Sequence, residues 1–303
     1  MKTIRWYMAE AGVKMRGVSL MFDLVNACSF RCPSCPVGNS PKRKAATMTL
    51  DRFRAILDRI QFQTRIRYVL LYSFSEPGLH PQLGEFVAEL KRRRVKRVMI
   101  STNLSHVDRI IQAMRAGVDE IRISFSGFDN GEYFHMGRDM RKFIQSCHSL
   151  SAVSKLYPHT KVGLIWHRYK TNLHEEGKVR DFAKAHGFRL IPETAFFIPF
   201  EKITGDVPYS QADRELIDHL IMSPEEKLKR TERDEICYYQ QKQIVIDATG
   251  RVFLCRHVYD ERFVVGDIMR DSLADIRGAM AENSYCLKCK KEGLNVYTQP
   301  EDK

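Results

Sequence analysis

The sequence predicts an α/β fold, namely a partial six-stranded β/α barrel followed by a small C-terminal domain built from a β-hairpin and a helix. Short apolar segments alternate with amphipathic helical stripes through the first two-thirds of the chain, which is typical of a parallel sheet covered by helices. After about residue 200 this alternation stops and a hairpin pattern replaces it. We therefore expect one domain over residues 1–200 and a second over residues 201–303.

Six segments have the length and apolar content of buried parallel strands. Six strands are too few for a complete eight-stranded barrel, so their number predicts a partial (β/α)6 TIM-like barrel. The segments are Val18–Val25, Tyr68–Tyr72, Arg97–Ser101, Glu120–Ser124, Val162–Trp166 and Arg189–Pro192.

Apolar residues at helical spacing predict a helix after each of the first three strands. The stripes span Leu50–Ile60, Leu83–Leu90 and Val107–Met114, and Thr49 stands at the N-cap position of the first. In the C-terminal third we expect a linker, a charged helix or loop, two hairpin strands around a turn at Gly250, and a helix. Their ranges are Pro199–Gln211, Pro224–Glu235, Gln243–Asp247, Arg251–Cys255 and Ser272–Asn283.

Size and charge limit the class of protein. The 303 residues are 44% hydrophobic, which fits a globular chain, and no apolar run approaches the roughly 20 residues of a membrane helix. Met1–Met15 lacks the apolar core of a secretion signal, so we expect a cytoplasmic protein without a membrane partner. The net charge of +12 is compatible with nucleic acid. However, the densest basic run, Lys91–Arg97, falls where a helix ends, so we expect a solvated face and no nucleic-acid partner.

Eight cysteines without a secretion signal indicate metal binding rather than disulfides. Cys28, Cys32 and Cys35 follow the first predicted strand as Cys-Ser-Phe-Arg-Cys-Pro-Ser-Cys. Each iron of a four-iron cluster normally takes one thiolate, so three cysteines leave one iron open to a ligand. A zinc site is the alternative, but it needs a fourth ligand, and the nearest histidine in sequence is His80.

A second set comprises Cys237, Cys255, Cys286 and Cys289. Four thiolates can hold either a zinc ion or a fully ligated iron–sulfur cluster, and the spacing alone leaves both open. The remaining cysteine, Cys147, lies on an apolar helical stripe, where we expect it to pack as a small hydrophobic residue.

The run C-x3-C-x2-C after a first strand resembles the signature of radical S-adenosylmethionine (SAM) enzymes. The pattern Cys237-x12-Gly250-x4-Cys255 followed by C-x2-C resembles the twitch domain, a shortened form of the SPASM domain. The resemblance implies two [4Fe-4S] clusters, one that binds SAM and one auxiliary cluster that transfers electrons. It also implies a reductant such as flavodoxin or ferredoxin.

The resemblance also implies SAM contacts at successive strand ends. The segment from Tyr72 to Pro77 resembles the family's Gly-Gly-Glu segment, which makes Glu76 a candidate for the SAM amino group, although the glycines are absent here. Further candidates are polar residues after the third and fourth strands, each of which also fits a simple strand-end cap. They are Ser101, Asn103, Ser124 and Ser126.

In this family an electron from the SAM-binding cluster cleaves SAM to a 5′-deoxyadenosyl radical, which removes a hydrogen atom from the substrate. The auxiliary pattern is similar to that of the dehydrogenase of aminoglycoside biosynthesis that oxidises a cyclitol alcohol. We therefore expect oxidation of a small polar metabolite, with Tyr72, His167 and Arg168 as substrate contacts. The alternatives are a peptide maturase, an epimerase, an enzyme acting on a nucleotide or tRNA and, from a different class, a zinc-bearing nucleic-acid-binding protein.

Overall fold

The computed structural model describes residues 17–129, 131–231, 234 and 236–298. Met1–Met15, Glu235 and the last five residues of the chain lie outside the described part. The described residues contain nine strands. They are β1 Val18–Phe22, β2 Ile66–Leu70, β3 Arg97–Thr102, β4 Glu120–Phe125, β5 Lys161–Arg168, β6 Arg189–Thr194, β7 Gln243–Ile246, β8 Arg251–Phe253 and β9 Val264–Asp267.

Helices connect and cover the strands. They are α1 Pro36–Asn39, α2 Leu50–Gln63, α3 Leu83–Arg92, α4 Val107–Arg115, α5 Gly131–Phe134, α6 Met140–Ser154, α7 Glu176–Ala185, α8 Phe200–Ile203, α9 Gln211–His219, α10 Pro224–Arg230, α11 Tyr238–Lys242, α12 Leu273–Glu282, α13 Ser284–Glu292 and α14 Leu294–Tyr297. Three short 3₁₀ turns lie at Pro77–Leu79, Lys170–Glu175 and Glu261–Phe263.

All nine strands belong to one sheet in the order β6-β5-β4-β3-β2-β1-β7-β8-β9. Strands β1 to β6 run parallel, which confirms the predicted partial barrel. The predicted helical stripes bury their apolar faces against this sheet, and the Thr49 hydroxyl accepts a hydrogen bond from the Arg52 amide at the start of α2. The carboxyl ends of the parallel strands therefore converge at one edge, where loops can form a site.

The C-terminal hairpin extends the barrel sheet. β7 pairs in parallel with β1, and β8 returns antiparallel to β7 through a turn in which Gly250 has φ +89°. A residue free to adopt positive φ is required there, which confirms the predicted hairpin. Met21, Val245 and Phe253 pack together across the junction. The auxiliary region and the barrel thus share one sheet.

Several boundaries differ from the sequence prediction. β1 ends at Phe22 instead of Val25, because the chain turns at the buried Asp23 and Val25 makes only an isolated bridge to Thr47. The predicted linker after Pro199 contains the short helix α8. It is followed by α9, a helix whose start at Ser210 is fixed by a reciprocal capping box. An S-x-x-D pattern is the sequence signal of that cap.

The basic run at the end of α3 lies at the amino ends of the strands. Arg92 and Arg93 form ion pairs with Glu89, and hydrogen bonds from these guanidinium groups lower the pKa of Glu89 to about 2. Arg97 pairs with the buried Glu120. Much of the positive charge of this basic run is thus neutralised by ion pairs within the protein. Among the described helices, none has the length and apolar character needed to cross a membrane.

Candidate functional site

The first cysteine set lies in the loop that leaves β1 at the carboxyl edge of the sheet. The Cys35 amide donates to the Cys32 carbonyl at 3.0 Å, and the Gly38 amide donates to the Cys35 carbonyl at 2.8 Å. A Cβ atom on Gly38 would lie only 2.2 Å from the Cys32 carbonyl oxygen, so the close return of the chain requires glycine. This tight loop brings the three thiols together.

Burial raises the pKa of the Cys28 thiol to about 11 and that of Cys32 to about 12, and in Cys32 the neighbouring Cys28 thiolate adds to the effect. Burial and both neighbouring thiolates also raise the pKa of Cys35. Arg138 acts in the opposite direction on Cys32. Three thiols that repel one another as thiolates fit a site in which bound iron supplies the compensating positive charge.

The four cysteines of the second set line one small cavity, together with Phe200, Leu254, Val258 and Tyr285. Cys237 precedes α11, Cys255 follows β8, and Cys286 and Cys289 lie one turn apart on α13. Burial raises the pKa of Cys255 and Cys286 to about 12 and about 11, and the Cys237 thiolate contributes in both cases. Four converging thiols can occupy every iron of a cubane cluster.

Asp23, which sequence analysis missed, anchors the loop after β2. Its buried carboxylate accepts hydrogen bonds from the amides of Ser73, Phe74 and Ser75 and from the Ser75 hydroxyl. Burial raises the pKa of this carboxyl group despite these bonds. An acidic residue directly after a mainly apolar strand was the available sequence signal.

Glu76 is buried and joins the ends of β2 and β3. Its carboxylate accepts hydrogen bonds from the Gly78 amide at 2.9 Å, the Thr102 hydroxyl at 2.7 Å and the Asn103 amide at 2.7 Å. The Asn103 side-chain amide in turn lies 3.6 Å from the Cys28 sulfur. Glu76 thus holds Asn103 beside the first cysteine set.

Several buried polar atoms near the first set have no hydrogen-bond partner among the described residues. They are Oγ of Ser126, Nδ1 of His135, and Nε and Nη1 of Arg138, whose Nη2 donates to the Ser124 carbonyl. Ser101 and Ser124 lie partly exposed on the inner face of the barrel. A ligand with carboxylate and hydroxyl groups, such as SAM, would satisfy these donors and acceptors.

Tyr72 and His167 lie on the inner face of the barrel, as a substrate site requires. The Tyr72 hydroxyl donates to the Met99 sulfur at 3.5 Å, and the His167 ring centroid lies 6.0 Å from that of His135. Burial lowers the pKa of His167, and Glu193, its register partner on β6, partly offsets this effect. Glu193 therefore joins the candidate substrate contacts.

Arg168 lies apart from His167. Adjacent strand residues face opposite sides of a sheet, and Arg168 shares the side of Trp166, which is buried in the core beneath the helices. Its Nη2 donates to the Thr194 hydroxyl at 3.0 Å. The two residues therefore do not face one substrate together, a consequence of strand geometry that the sequence prediction overlooked.

Arg43 connects the cysteine loop to the C-terminal region. Its guanidinium group lies 3.9 Å from the ring centroids of both Phe253 and Tyr259. It also donates to the Tyr259 carbonyl and faces the charge of Asp23. The Arg43 guanidinium group thus contacts residues near both cysteine sets and links the two regions.

Two family models match the chain. The model of the radical SAM superfamily matches residues 23–163, which include the first cysteine set. The SPASM model, an iron–sulfur cluster-binding domain, matches residues 237–294, which include the second.

One curated relative is the PqqA peptide cyclase of Gluconobacter oxydans (strain 621H), 31% identical over 111 residues. The alignment covers 36% of this chain and 30% of that protein, so it spans less than a third of the relative.

Solved structures share the fold at low identity. BtrN in complex with AdoMet and 2-DOIA is 14% identical with a TM-score of 0.52, and the match covers 93% of this chain and 92% of BtrN. Streptococcus suis SuiB bound to S-adenosylmethionine is 12% identical with a TM-score of 0.59, over 96% of this chain and 74% of SuiB.

The family models favour iron–sulfur clusters over zinc at both cysteine sets. A three-cysteine site at the barrel edge and a four-cysteine site beside the hairpin match the implied SAM-binding and auxiliary [4Fe-4S] clusters. This chain therefore matches the radical SAM superfamily over residues 23–163 and the SPASM iron–sulfur cluster-binding domain over residues 237–294.

Proposed function

We propose that this radical SAM enzyme is a maturase that oxidatively modifies a peptide. The observation that carries the proposal is its sequence similarity to the PqqA peptide cyclase. The clusters and SAM, when bound, supply one-electron chemistry that removes hydrogen from unactivated carbon. The peptide class replaces the small polar metabolite that the cysteine pattern alone favoured.

The residues of this chain bind and orient the reactants. Cys28, Cys32 and Cys35 would hold the SAM-binding cluster, and the unpartnered buried nitrogens of Arg138 and His135 would pair with polar groups of SAM. Glu76 acts as a positioning residue, because it fixes Asn103 next to Cys28.

An apolar rim beside the cysteine loop suits a peptide side chain. Tyr133 and Met136 are 37% and 49% exposed, and the Met136 carbonyl accepts a hydrogen bond from the Arg31 amide within the loop. Tyr133 adjoins Phe134, which stacks on Tyr169 with ring centroids 3.7 Å apart. Exposed apolar side chains beside the cysteine loop are the contacts that an apolar side chain of a peptide would use.

Oxidation of a small polar metabolite is the second candidate. Tyr72, His167 and Glu193 give the barrel interior a polar, partly exposed lining that suits hydroxyl groups. The structure of BtrN, which contains AdoMet and 2-DOIA, shares the fold.

Anaerobic assays with SAM and dithionite distinguish the candidates. We would supply either peptides encoded beside the gene or a set of polyhydroxylated alcohols, and follow 5′-deoxyadenosine and substrate mass. A peptide that loses two hydrogens in step with 5′-deoxyadenosine supports the proposal. Turnover of an alcohol alone would overturn it. A peptide that keeps its mass in H2O but gains deuterium in D2O would indicate an epimerase and would also overturn it. The Cys28→Ala variant is the inactive control.

A further inference from the structure

His257 lies two residues after Cys255 and reaches back to its sulfur. The imidazole Nδ1 is 3.5 Å from Cys255 Sγ, and the side chain is buried, with 4% of its surface exposed. No function assigned above uses this residue. Its position beside one ligand of the auxiliary cluster raises the question of which ring nitrogen carries the proton.

Aromatic packing fixes the plane of the His257 ring. The ring stacks on Phe200, with centroids 4.6 Å apart and an interplanar angle of 13°. Tyr239 meets it edge-on at 4.8 Å, and the His257 carbonyl accepts a hydrogen bond from the Phe200 amide at 2.8 Å. The imidazole therefore has little freedom to turn its Nδ1 away from Cys255.

The opposite ring nitrogen faces a hydroxyl. His257 Nε2 lies 3.2 Å from the Thr298 hydroxyl, which lies 3.3 Å from the Tyr239 hydroxyl. If the tyrosine donates to the threonine, the threonine hydroxyl donates to Nε2 and leaves the ring proton on Nδ1. If both hydrogen bonds ran in the opposite direction, Nε2 would carry the ring proton and donate it to the threonine hydroxyl. Nδ1 would then point a lone pair at a cluster thiolate, which is repulsive.

We infer that His257 donates a hydrogen bond from Nδ1 to the Cys255 sulfur and thereby raises the reduction potential of the auxiliary cluster. A donor that points at a cluster sulfur stabilises the more negative, reduced state, and hydrogen bonds to the sulfurs are known determinants of cluster potential. Thr298 is then a positioning residue, since it sets the tautomer. The inference rests on cluster binding and is independent of the substrate class.

The test is an EPR-monitored redox titration of full-length protein in which Cys28, Cys32 and Cys35 are replaced by alanine, so that only the auxiliary cluster contributes. His257→Phe preserves the stack on Phe200 but removes the donor. We expect the ratio of oxidised to reduced cluster at a fixed potential to rise about tenfold, which is about 59 mV for a one-electron couple. His257→Asn retains a donor near Nδ1 and should recover most of the shift. His159→Phe, at an exposed histidine before β5, is the matched control and should change nothing.

A second measurement keeps the inference testable if His257→Phe loses its cluster. In the protein that carries the same three alanines, retains His257 and is labelled with ¹⁵N-histidine, pulsed EPR of the reduced auxiliary cluster should show a weak nitrogen coupling that His257→Asn removes. An unshifted potential in His257→Phe with full iron content would overturn the inference. Absence of the histidine coupling in the labelled protein would overturn it as well.

Discussion

The two cysteine sets reach similar chemistry by different structural means. Cys28, Cys32 and Cys35 lie within eight consecutive residues, and their loop is surrounded by hydrogen-bonding groups at the strand ends. The second set is gathered from separate segments between Cys237 and Cys289 and shares its cavity with apolar side chains. Local sequence thus forms the first set, whereas tertiary packing forms the second.

This difference follows from what each cluster must do. An iron that binds SAM needs room and polar partners, and unpaired donors such as those of Arg138 remain beside the first set. A fully ligated cluster needs no incoming ligand, so Phe200, Leu254 and Val258 can pack directly around the second set. We therefore expect damage at the first set to abolish SAM cleavage and damage at the second to spare it.

The largest expected effect is that of Cys32→Ala. Loss of one of three ligands should empty the SAM-binding site, so iron falls from about eight to about four atoms per chain and 5′-deoxyadenosine formation ceases. Iron analysis and chromatography of the SAM products measure both.

Cys147→Ala is the matched control, because Cys147 is fully buried in the core and lies on α6. That variant should keep its iron and lose about 1–2 kcal/mol of stability. SAM cleavage in Cys32→Ala would contradict the assignment of the first set.

Cys289→Ala should have a more limited effect. Iron content should again fall to about four atoms per chain. SAM cleavage should continue, because the first cysteine set and its polar surroundings remain, whereas formation of the oxidised product should be lost. The ratio of 5′-deoxyadenosine to product, measured with the assigned substrate, reports this uncoupling. Equal loss of SAM cleavage in Cys289→Ala and Cys32→Ala would mean that the two sites do not work separately.

Sequence reasoning predicted the periodic features of the fold best. The strands from β3 to β6 and the stripe of α2 carry their own apolar pattern, so their positions follow from local sequence. The parallel pairing of β7 with β1 joins residues more than 200 positions apart, and no local pattern encodes it. The same limit explains why the hairpin was predicted but its place in the barrel sheet was not.

The site follows the same rule. The cysteines were found because ligand type and spacing are visible in sequence, and their cluster types are supported by the family models. Asp23 and Arg43 were missed because their partners, Ser75 and Tyr259, lie 52 and 216 positions away. The roles of Glu76, Ser101, Asn103, Ser124 and Ser126 in SAM binding stay predictions, as do the substrate contacts and the division near residue 200.

The smallest effect tests whether the two regions depend on each other. Arg43→Met removes a cation that lies 3.9 Å from the rings of Phe253 and Tyr259 and leaves the buried Asp23 without its facing charge. We expect a loss of about 2 kcal/mol in the free energy of unfolding, since a desolvated cation–π contact and hydrogen bonds are both lost. Urea denaturation measures this loss.

Lys42→Met, at an exposed neighbouring position, should change stability by less than about 0.5 kcal/mol. Equal stability of the two variants would mean that Arg43 does not couple the regions, and the shared sheet of β1 and β7 would then have to connect them alone.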